Sequence, residues 1–507
     1  MSGTPIRSGA PFALDRIPVL DADAGRAAAL GARDAGERIV ALFGCDGLAP
    51  GAVRIFLVTA DDAAGALSIA AFDVSRARGA FASLTPEWTE AHLFEREIAE
   101  QFGVVPEGHP WLKPVRGAPP LAGPDRFAPA AGARTRLEAY PFLRAGGDEM
   151  HEVGVGPVHA GIIEPGHFRF LCHGETVHHL EISLGYQHRG IERALLGGPG
   201  RRTLVAMESV AGDTVVGHAY AHCRAIEGLS ARAAAARSSA IRCIALELER
   251  CSNHVGDLGA LANDVGFLPG AAYFGRLRGE FLNLLMELTG NRYGRGLVVP
   301  GGVRFDVDAE MARDFTVRLT RARDDFTDIA ELTFRKPSVM ARFEGAGRVL
   351  REDAEALGLV GPAARASGCA RDVRQDFAHG AYRFVHVPIM LAETGDVAAR
   401  AIVRRIETER AIEFLLTQVA NLPSGPTRAV LGPAAPRTGC VALVEGWRGE
   451  IAHVALTDDA GRFARYKVVD PSFHNWTGLA LALRGQEISD FPLCNKSFNL
   501  SYAGHDL

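Results

Sequence analysis

Short apolar runs separated by turns mark the N-terminal part of the chain. Residues 53–58 and 67–72 are rich in apolar side chains, and a turn of Ala, Gly and Asp lies between them. Runs of this length bounded by turn residues are typical of β-strands. A helical stretch follows over residues 87–102. The pattern predicts a small N-terminal α/β domain over residues 1–115.

Helical periodicity dominates the rest of the chain. Residues 218–261 form an almost unbroken run of helix formers, and residues 412–419 place apolar side chains at i, i+3, i+4 and i+7. Long helices joined by loops are typical of a helix bundle. Residues 446–469 have a β-like pattern instead. We therefore predict an α+β protein whose larger domain, residues 149–507, is mainly an α-helical bundle with peripheral β-strands.

A segment rich in Pro, Gly and Ala lies between the two predicted domains. Residues 116–148 include the run Gly-Ala-Pro-Pro-Leu-Ala-Gly-Pro. This composition is typical of a linker. The sequence leaves one alternative open, an ordered but irregular surface loop.

Composition limits the classes of protein to which the chain can belong. Its 507 residues are 47% hydrophobic and 23% charged, as in ordinary globular proteins, and its formal net charge is −5. A nucleic-acid binder would show a basic excess, so we expect no nucleic-acid partner. No uncharged apolar run approaches the roughly 18–20 residues that span a bilayer. Residues 1–16 lack the apolar core of a secretory signal. We expect a cytoplasmic protein that acts as a peripheral subunit on the inner face of the cell membrane.

The eight cysteines form no metal-binding pairs. They are Cys45, Cys172, Cys223, Cys243, Cys251, Cys369, Cys440 and Cys494. No two lie three positions apart, so the chain has no Cys-x-x-Cys motif for a structural zinc, an iron–sulfur cluster or a redox disulfide. Scattered thiols are usually small core side chains in a reducing compartment. Any electrons must therefore come from, or pass to, a neighbouring subunit.

Two sets of motifs resemble subunits of respiratory complex I. The first set resembles the 30-kDa-type subunit and consists of Glu95-Arg96-Glu97, Phe102-Gly103 and Gly108-His109-Pro110-Trp111-Leu112. The second set resembles the 49-kDa-type subunit and consists of Gly156-Pro157-Val158-His159, Glu164-Pro165-Gly166-His167, Gln187-His188-Arg189-Gly190, Glu247-Leu248-Glu249-Arg250, Pro300-Gly301-Gly302 and Glu445-Gly446-Trp447-Arg448-Gly449-Glu450. It is equally similar to the large subunit of membrane-bound, energy-converting nickel–iron hydrogenases of group 4. The chain thus resembles a fusion of the two complex I subunit types.

The resemblance fails where the hydrogenases bind their metal. They hold the nickel–iron centre with two Cys-x-x-Cys pairs, and these positions fall here on Ala211, Thr214, Ser472 and Asn475. Alanine has no lone pair, and a neutral hydroxyl or carboxamide does not replace a soft thiolate at nickel or low-valent iron. We therefore predict no metal at these positions and no hydrogenase activity.

The function that we expect follows from the resemblance. In complex I the same loss leaves a cavity that resembles a quinone-headgroup pocket. The resemblance implies no cofactor held firmly by this chain itself, a quinone in the cavity, and an iron–sulfur cluster in a small partner subunit of the 20-kDa type. It also implies antiporter-like and other hydrophobic membrane subunits as partners, with electron transfer coupled to ion translocation. The alternative is a redox-silent scaffold that docks the iron–sulfur subunit on the membrane subunits.

Three residues are candidates for proton chemistry in this cavity. His167 and His159 belong to motifs that line it in the family, and histidine can donate a proton near neutral pH. The alternative is that both are structural or surface histidines. Asp213 lies between the two lost cysteines of the first pair. A carboxylate in a sealed cavity is costly unless it is paired or protonated, so Asp213 either faces a water-filled channel or handles protons.

Three further residues are candidates for binding roles. The resemblance places Arg189 and His188 against the partner's iron–sulfur cluster, where a guanidinium would favour the reduced cluster. A salt bridge at a helix entry is the alternative for Arg189. Glu164 occupies a position that in metal-bearing relatives resembles a magnesium ligand.

The segment after Asn475 is the last feature that the resemblance concerns. In metal-bearing relatives a protease removes this tail once the metal is inserted. Residues 476–507 are rich in apolar and aromatic side chains, unlike a disordered tail. We expect them to remain on the protein and to pack against its body or a partner subunit.

Overall fold

The chain combines an N-terminal sheet with a larger helical body. A computed structural model describes residues 3–128, 136–147, 149–159, 163–200 and 202–507. The first elements are β1 (Thr4–Ile6), β2 (Pro11–Ala13), β3 (Val19–Asp21), α1 (Ala22–Asp34), β4 (Arg38–Cys45), β5 (Ala52–Asp61), β6 (Ala66–Ser75), β7 (Ala80–Ala82), α2 (His92–Phe102) and β8 (Val105–Glu107). The later elements are α3 (Arg136–Ala139), β9 (Met150–Val155), β10 (His167–His173), β11 (Thr176–Ser183), α4 (Ile191–Leu195), α5 (Thr203–Met207), α6 (Val215–Leu229), α7 (Ala236–Asp264), α8 (Leu268–Thr289), β12 (Val298–Val299), β13 (Gly302–Val303), α9 (Ala309–Phe334), α10 (Pro337–Phe343), α11 (Arg351–Ala356), α12 (Gly361–Arg365), α13 (Val373–Asp376), α14 (Val397–Ala420), β14 (Thr438–Gly446), β15 (Gly449–Thr457), β16 (Phe463–Val469), α15 (Pro471–Ala482), α16 (Phe491–Phe498) and α17 (Tyr502–Asp506). The predicted α+β class is confirmed.

The N-terminal sheet contains both predicted strands. The runs 53–58 and 67–72 lie inside β5 and β6, which pair antiparallel in the order β1-β6-β5-β4. The predicted helix over 87–102 begins later, at His92, because residues Thr89–Ala91 form a 3-10 turn instead. The Glu95 carboxylate accepts hydrogen bonds from Ser83 Oγ at 2.5 Å and Leu84 N at 2.7 Å.

The helical body is built around α7. This helix packs against α8 and α14, and α14 packs against α9. The run predicted as one helix over 218–261 is two helices, since α6 ends at Leu229 and α7 begins at Ala236. Ala231 in the turn between them has a φ of 48°, which a helix cannot continue. Residues 446–469 contain β15 and β16, as predicted.

One sheet joins the two ends of the chain. Its order is β16-β15-β14-β2, so a strand from the predicted N-terminal domain completes a sheet of the larger one. Arg116, the first residue of the predicted linker, is also buried and donates to the Glu97 carboxylate and the His505 carbonyl. The domain limits at 115 and 149 stay predictions. Within the described ranges, no helix is long and apolar enough to cross a membrane.

Buried charges connect the helices of the body. Arg365 on α12 is fully buried and donates to Glu407 on α14 and to Glu445 on β14, each at 2.8 Å. Glu407 also accepts from His254 on α7 at 2.9 Å. Burial by itself would raise the pKa of Glu407, but Arg365 and His254 lower it well below its usual range. Four separate segments therefore depend on one cluster of paired charges.

His92, at the start of α2, gives a test of pH-dependent stability. Burial lowers the pKa of His92 to about 3, so the folded protein holds it neutral while the unfolded chain protonates near pH 6.5. The contribution of His92 to the free energy of unfolding is therefore constant above the unfolded pKa. Below that pH it falls by about 1.4 kcal/mol for each pH unit, until the folded pKa is reached. The free energy of unfolding of His92→Leu minus that of the wild type should therefore rise by about 2 kcal/mol when the pH is lowered from 7.5 to 5.

Urea unfolding followed by tryptophan fluorescence at both pH values measures this difference. Trp88 lies close in sequence to His92 and is buried, so its emission should report unfolding of this region. A stability difference between variant and wild type that is the same at both pH values would contradict the assignment of a neutral buried imidazole.

Candidate functional site

The four positions of the family's metal ligands are buried and hydrogen-bonded within the chain. Thr214 Oγ1 accepts from Trp447 Nε1 at 3.1 Å, and Ser472 Oγ accepts from Ser501 N at 2.9 Å. The Asn475 carboxamide bonds both the N–H and the carbonyl of Val360 at 3.0 Å. Ala211 offers no polar atom. The three polar side chains are thus engaged by protein partners, and the donor set does not fit a nickel–iron centre.

Arg448 is the cation of this region. It lies in the turn between β14 and β15 and forms a two-pronged ion pair with Asp213, with Nη1 to Oδ1 at 2.6 Å and Nη2 to Oδ2 at 2.8 Å. Its guanidinium also stacks on the Trp447 ring at 3.9 Å from the centroid. Burial alone would lower the pKa of Arg448, but the carboxylates of Asp213, Asp470 and Glu164 outweigh it and raise that pKa.

The charges of three carboxylates thus act on one guanidinium, and Asp213 is the one that contacts it. Asp213 keeps 31% of its side chain exposed whereas Arg448 keeps 4%, so solvent reaches the carboxylate of the pair. Glu164 accepts from Tyr502 N at 3.1 Å, and burial raises the pKa of its carboxyl group. In the part of the chain that the structure describes, no three His, Cys, Asp or Glu side chains form a group that could hold a metal ion. The magnesium role of Glu164 stays a prediction.

The two candidate histidines lie on the β9–β10 side of the site. His167 is buried, bonds the Gly156 carbonyl through Nδ1 at 2.9 Å, and has its ring 5.3 Å from that of Phe142. Burial lowers its pKa. The next residue, Phe168, packs on Tyr502, and neighbouring side chains of a strand point to opposite faces. The two histidines are close enough for His159 to contribute to the lowered pKa of His167, but no contact among the described residues joins either of them to Asp213.

Arg189 links three segments of the chain. It lies in the exposed turn before α4 and donates to the carbonyls of Ser209, Val210 and Ala503, the last two at 3.0 and 2.9 Å. These partners are backbone carbonyls rather than the carboxylate of the predicted alternative. Its neighbour His188 is also exposed and bonds the Asp506 carbonyl at 2.7 Å. Both side chains remain at the surface of the chain.

The segment over 476–507 packs against the body, as predicted. The Asp506 carboxylate accepts from Gly185 N at 2.6 Å and Gln187 N at 2.9 Å. The Tyr502 ring lies edge-on to Trp476, with centroids 4.8 Å apart. The absence of proteolytic removal stays a prediction.

Family comparisons identify both halves of the chain. Residues 42–123 match the family "Respiratory-chain NADH dehydrogenase, 30 Kd subunit", and residues 264–431 and 428–506 match "Respiratory-chain NADH dehydrogenase, 49 Kd subunit". Formate hydrogenlyase subunit 5 of Escherichia coli is 30% identical over 441 residues, which cover 84% of this chain and 77% of that protein. This chain belongs to the complex I 30-kDa/49-kDa family. It fuses the two subunit types.

Other relatives show the breadth of this complex I-like family. The carbon monoxide-induced hydrogenase of Rhodospirillum rubrum is 31% identical over 350 residues, covering 69% of the chain and 97% of that protein. The fused C/D protein of the NADH-quinone oxidoreductase of Bacteroides thetaiotaomicron is 28% identical, covering 82% and 83%. A chain of the membrane-bound sulfane sulfur reductase, an archaeal respiratory membrane complex, has the same fold with a TM-score of 0.67 at 23% identity, covering 71% of this chain and 99% of that one. The predicted family is confirmed.

The complex I-like chain also contains a buried row of polar groups that sequence reasoning missed. We call it the histidine–tyrosine chain: Asp470, His218, His453, Tyr466 and His222. His218 and His222 are four residues apart on α6, a spacing that puts them on one helix face. That spacing was the one visible signal, since the other members come from distant segments.

Proposed function

We propose that this protein is a subunit of a membrane-associated, complex I-like oxidoreductase, in which the region around Arg448 receives a quinone or another small acceptor. The acceptor would be reduced beside an iron–sulfur cluster carried by a small partner subunit. Antiporter-like membrane subunits would couple this reaction to ion translocation. The chain would lie on the inner face of the membrane.

One observation carries the proposal. A buried guanidinium, paired with Asp213 whose own side chain is 31% exposed, occupies the region where relatives bind metal. A positive group of this kind stabilises an oxygen that gains negative charge on reduction. The names of the relatives support the same reaction class, since they include an NADH-quinone oxidoreductase and hydrogenases.

A scaffold is the second candidate, and one observation favours it. The polar side-chain groups at three of the family's metal-ligand positions form hydrogen bonds within the chain, at Thr214, Ser472 and Asn475. A body stabilised in this way would hold partner subunits together without reacting. In the first function Arg448 is needed for acceptor reduction, whereas in the second it is needed only for assembly with the partner subunits.

Metal content and acceptor reduction test the proposal on the complex purified with its partner subunits. We expect no stoichiometric nickel and no hydrogen uptake, because no thiolate stands at Ala211, Thr214, Ser472 or Asn475. We expect reduction of a short-chain quinone by an electron donor of the complex. Elemental analysis and a spectrophotometric assay give the two results.

The outcomes separate the alternatives. Nickel at one atom per chain would refute our interpretation of the site. A fully assembled complex that reduces neither quinones nor other small acceptors would support the scaffold.

A further inference from the structure

The histidine–tyrosine chain is continuous over five groups. His222 Nδ1 lies 2.7 Å from the Tyr466 hydroxyl, which lies 2.9 Å from His453 Nδ1. His453 Nε2 lies 3.1 Å from His218 Nδ1, and His218 Nε2 lies 2.9 Å from Asp470 Oδ2. Each of these distances is within hydrogen-bond range. The row connects α6, β15, β16 and the start of α15.

All five groups are sealed from solvent. None has more than 1% of its surface exposed. Burial lowers the pKa of His222 to about 3, and it lowers that of His453 well below the usual range, so both rings are neutral. Burying five polar groups in this way is costly unless each is hydrogen-bonded, and here every member has a partner on each side or is the terminal group.

The donors and acceptors are ordered in one direction. A carboxylate only accepts, and a neutral imidazole has one donating and one accepting nitrogen. In the state in which His218 is neutral, it donates from Nε2 to Asp470 and accepts at Nδ1 from His453 Nε2. His453 in turn accepts at Nδ1 from the Tyr466 hydroxyl, and Tyr466 accepts from His222 Nδ1. The row thus points from His222 towards Asp470.

We propose that the histidine–tyrosine chain is a proton relay that connects His222 with Asp470 beside Arg448. A proton that arrives at His222 Nε2 releases the Nδ1 proton to Tyr466, whose own proton passes to His453 Nδ1. His453 then passes its Nε2 proton to His218 Nδ1, and His218 passes its Nε2 proton to Asp470. One proton enters at His222 and one is delivered to Asp470, and each imidazole ends with its proton on the other nitrogen. If the proton returns by the same route, the row is restored with no net transfer. If an acceptor takes the proton from Asp470, the imidazoles must return to their starting tautomers by reorientation before a second proton can pass.

The relay ends at the proposed acceptor region. The charge of Asp470 contributes to the raised pKa of Arg448, so a proton on Asp470 weakens the electrostatic stabilisation of the guanidinium. Reduction of a quinone consumes protons as well as electrons. The link to acceptor reduction therefore rests on the proposed function, whereas the relay itself rests on the hydrogen-bond geometry.

Two variants separate a relay from a merely structural row. Tyr466→Phe removes the hydroxyl that joins His453 to His222. His453→Gln keeps one donor and one acceptor, so it can retain both hydrogen bonds, but an amide does not pass a proton on as an imidazole does. The matched control is Tyr382→Phe, which removes another buried hydroxyl that donates to Glu247 at 2.6 Å outside the row.

The first measurement does not depend on catalysis. In the full chain with nitrogen-15 in its histidines, NMR should show protons on Nδ1 of His222 and on Nε2 of His453 and His218. Solvent exchange of the His218 Nε2 proton should slow at least tenfold in Tyr466→Phe and His453→Gln, and stay within twofold of wild type in Tyr382→Phe. The relay would be overturned if solvent exchange at His218 Nε2 were unchanged in both relay variants. It would also be overturned if the NMR protonation pattern left two neighbouring groups of the row without a proton between them.

The second measurement uses the assembled complex. We expect both relay variants to reduce a short-chain quinone at least tenfold more slowly, with a larger solvent isotope effect, and Tyr382→Phe to remain within twofold of wild type. Normal turnover in His453→Gln would show that the row is structural. If the wild-type complex reduces no acceptor, the proposed function fails, and the exchange rates alone decide for or against the relay.

Discussion

Replacing Arg365 by methionine is expected to lower the free energy of unfolding by about 3–5 kcal/mol, the cost typical of removing one partner from a buried ion pair. The side chain of Arg365 is completely buried and bonds both Glu407 and Glu445. Methionine fills much of the same volume but leaves the two carboxylates without their shared cation. The expected loss comes from that uncompensated charge rather than from a cavity.

The control is Arg351→Met, in which the lost partner is at the surface. Arg351 pairs with Glu355 at 2.8 Å, and their side chains are 67% and 45% exposed. Exposed pairs of this kind contribute about 0–0.5 kcal/mol. Denaturant unfolding of the two variants under the same conditions gives the comparison. Equal stability of Arg365→Met and Arg351→Met would show that the buried cluster does not hold the helical body together.

Local pattern explains which elements of the fold could be predicted. The strands β5 and β6 follow from short apolar runs, and α14 follows from its helical period and from Asp396, which caps its first turn. The break between α6 and α7 could not be read from composition, because Ala and Arg favour a helix throughout. Ala231 nevertheless has a φ of 48°, and the two helices on either side of it contact each other.

Distance along the chain explains what was missed at the site. The sequence motifs contain both Asp213 and Arg448. The two lie 235 positions apart, and no local sequence pattern predicts their ion pair. His218 and Asp470 are 252 positions apart. The strand β2 likewise joins β14 from the other end of the chain. The sequence predicts from four missing cysteines that no nickel–iron centre is bound, whereas the groups found near those positions become neighbours only in the fold.

Arg448→Met is expected to lower acceptor reduction by the assembled complex about a hundredfold, or about 2.7 kcal/mol in the barrier. The guanidinium forms an ion pair with Asp213, and the charges of Asp470 and Glu164 also act on it. Without it, the region that would stabilise a reduced oxygen carries only carboxylates, which repel developing negative charge. Arg448→Lys should lose less, because it keeps the positive charge while giving up the two-pronged pair with Asp213.

Arg437→Met is the matched control for this substitution. Arg437 also pairs with aspartates, but they are Asp15 and Asp459 rather than the carboxylates around Arg448, and its side chain is 53% exposed. Co-purification of the partner subunits must first show that every variant assembles. Assembled Arg448→Met with wild-type acceptor reduction would assign the Arg448–Asp213 pair to stability alone and place acceptor reduction away from Arg448. A guanidinium that stabilises the reduced acceptor cannot be removed without slowing its formation.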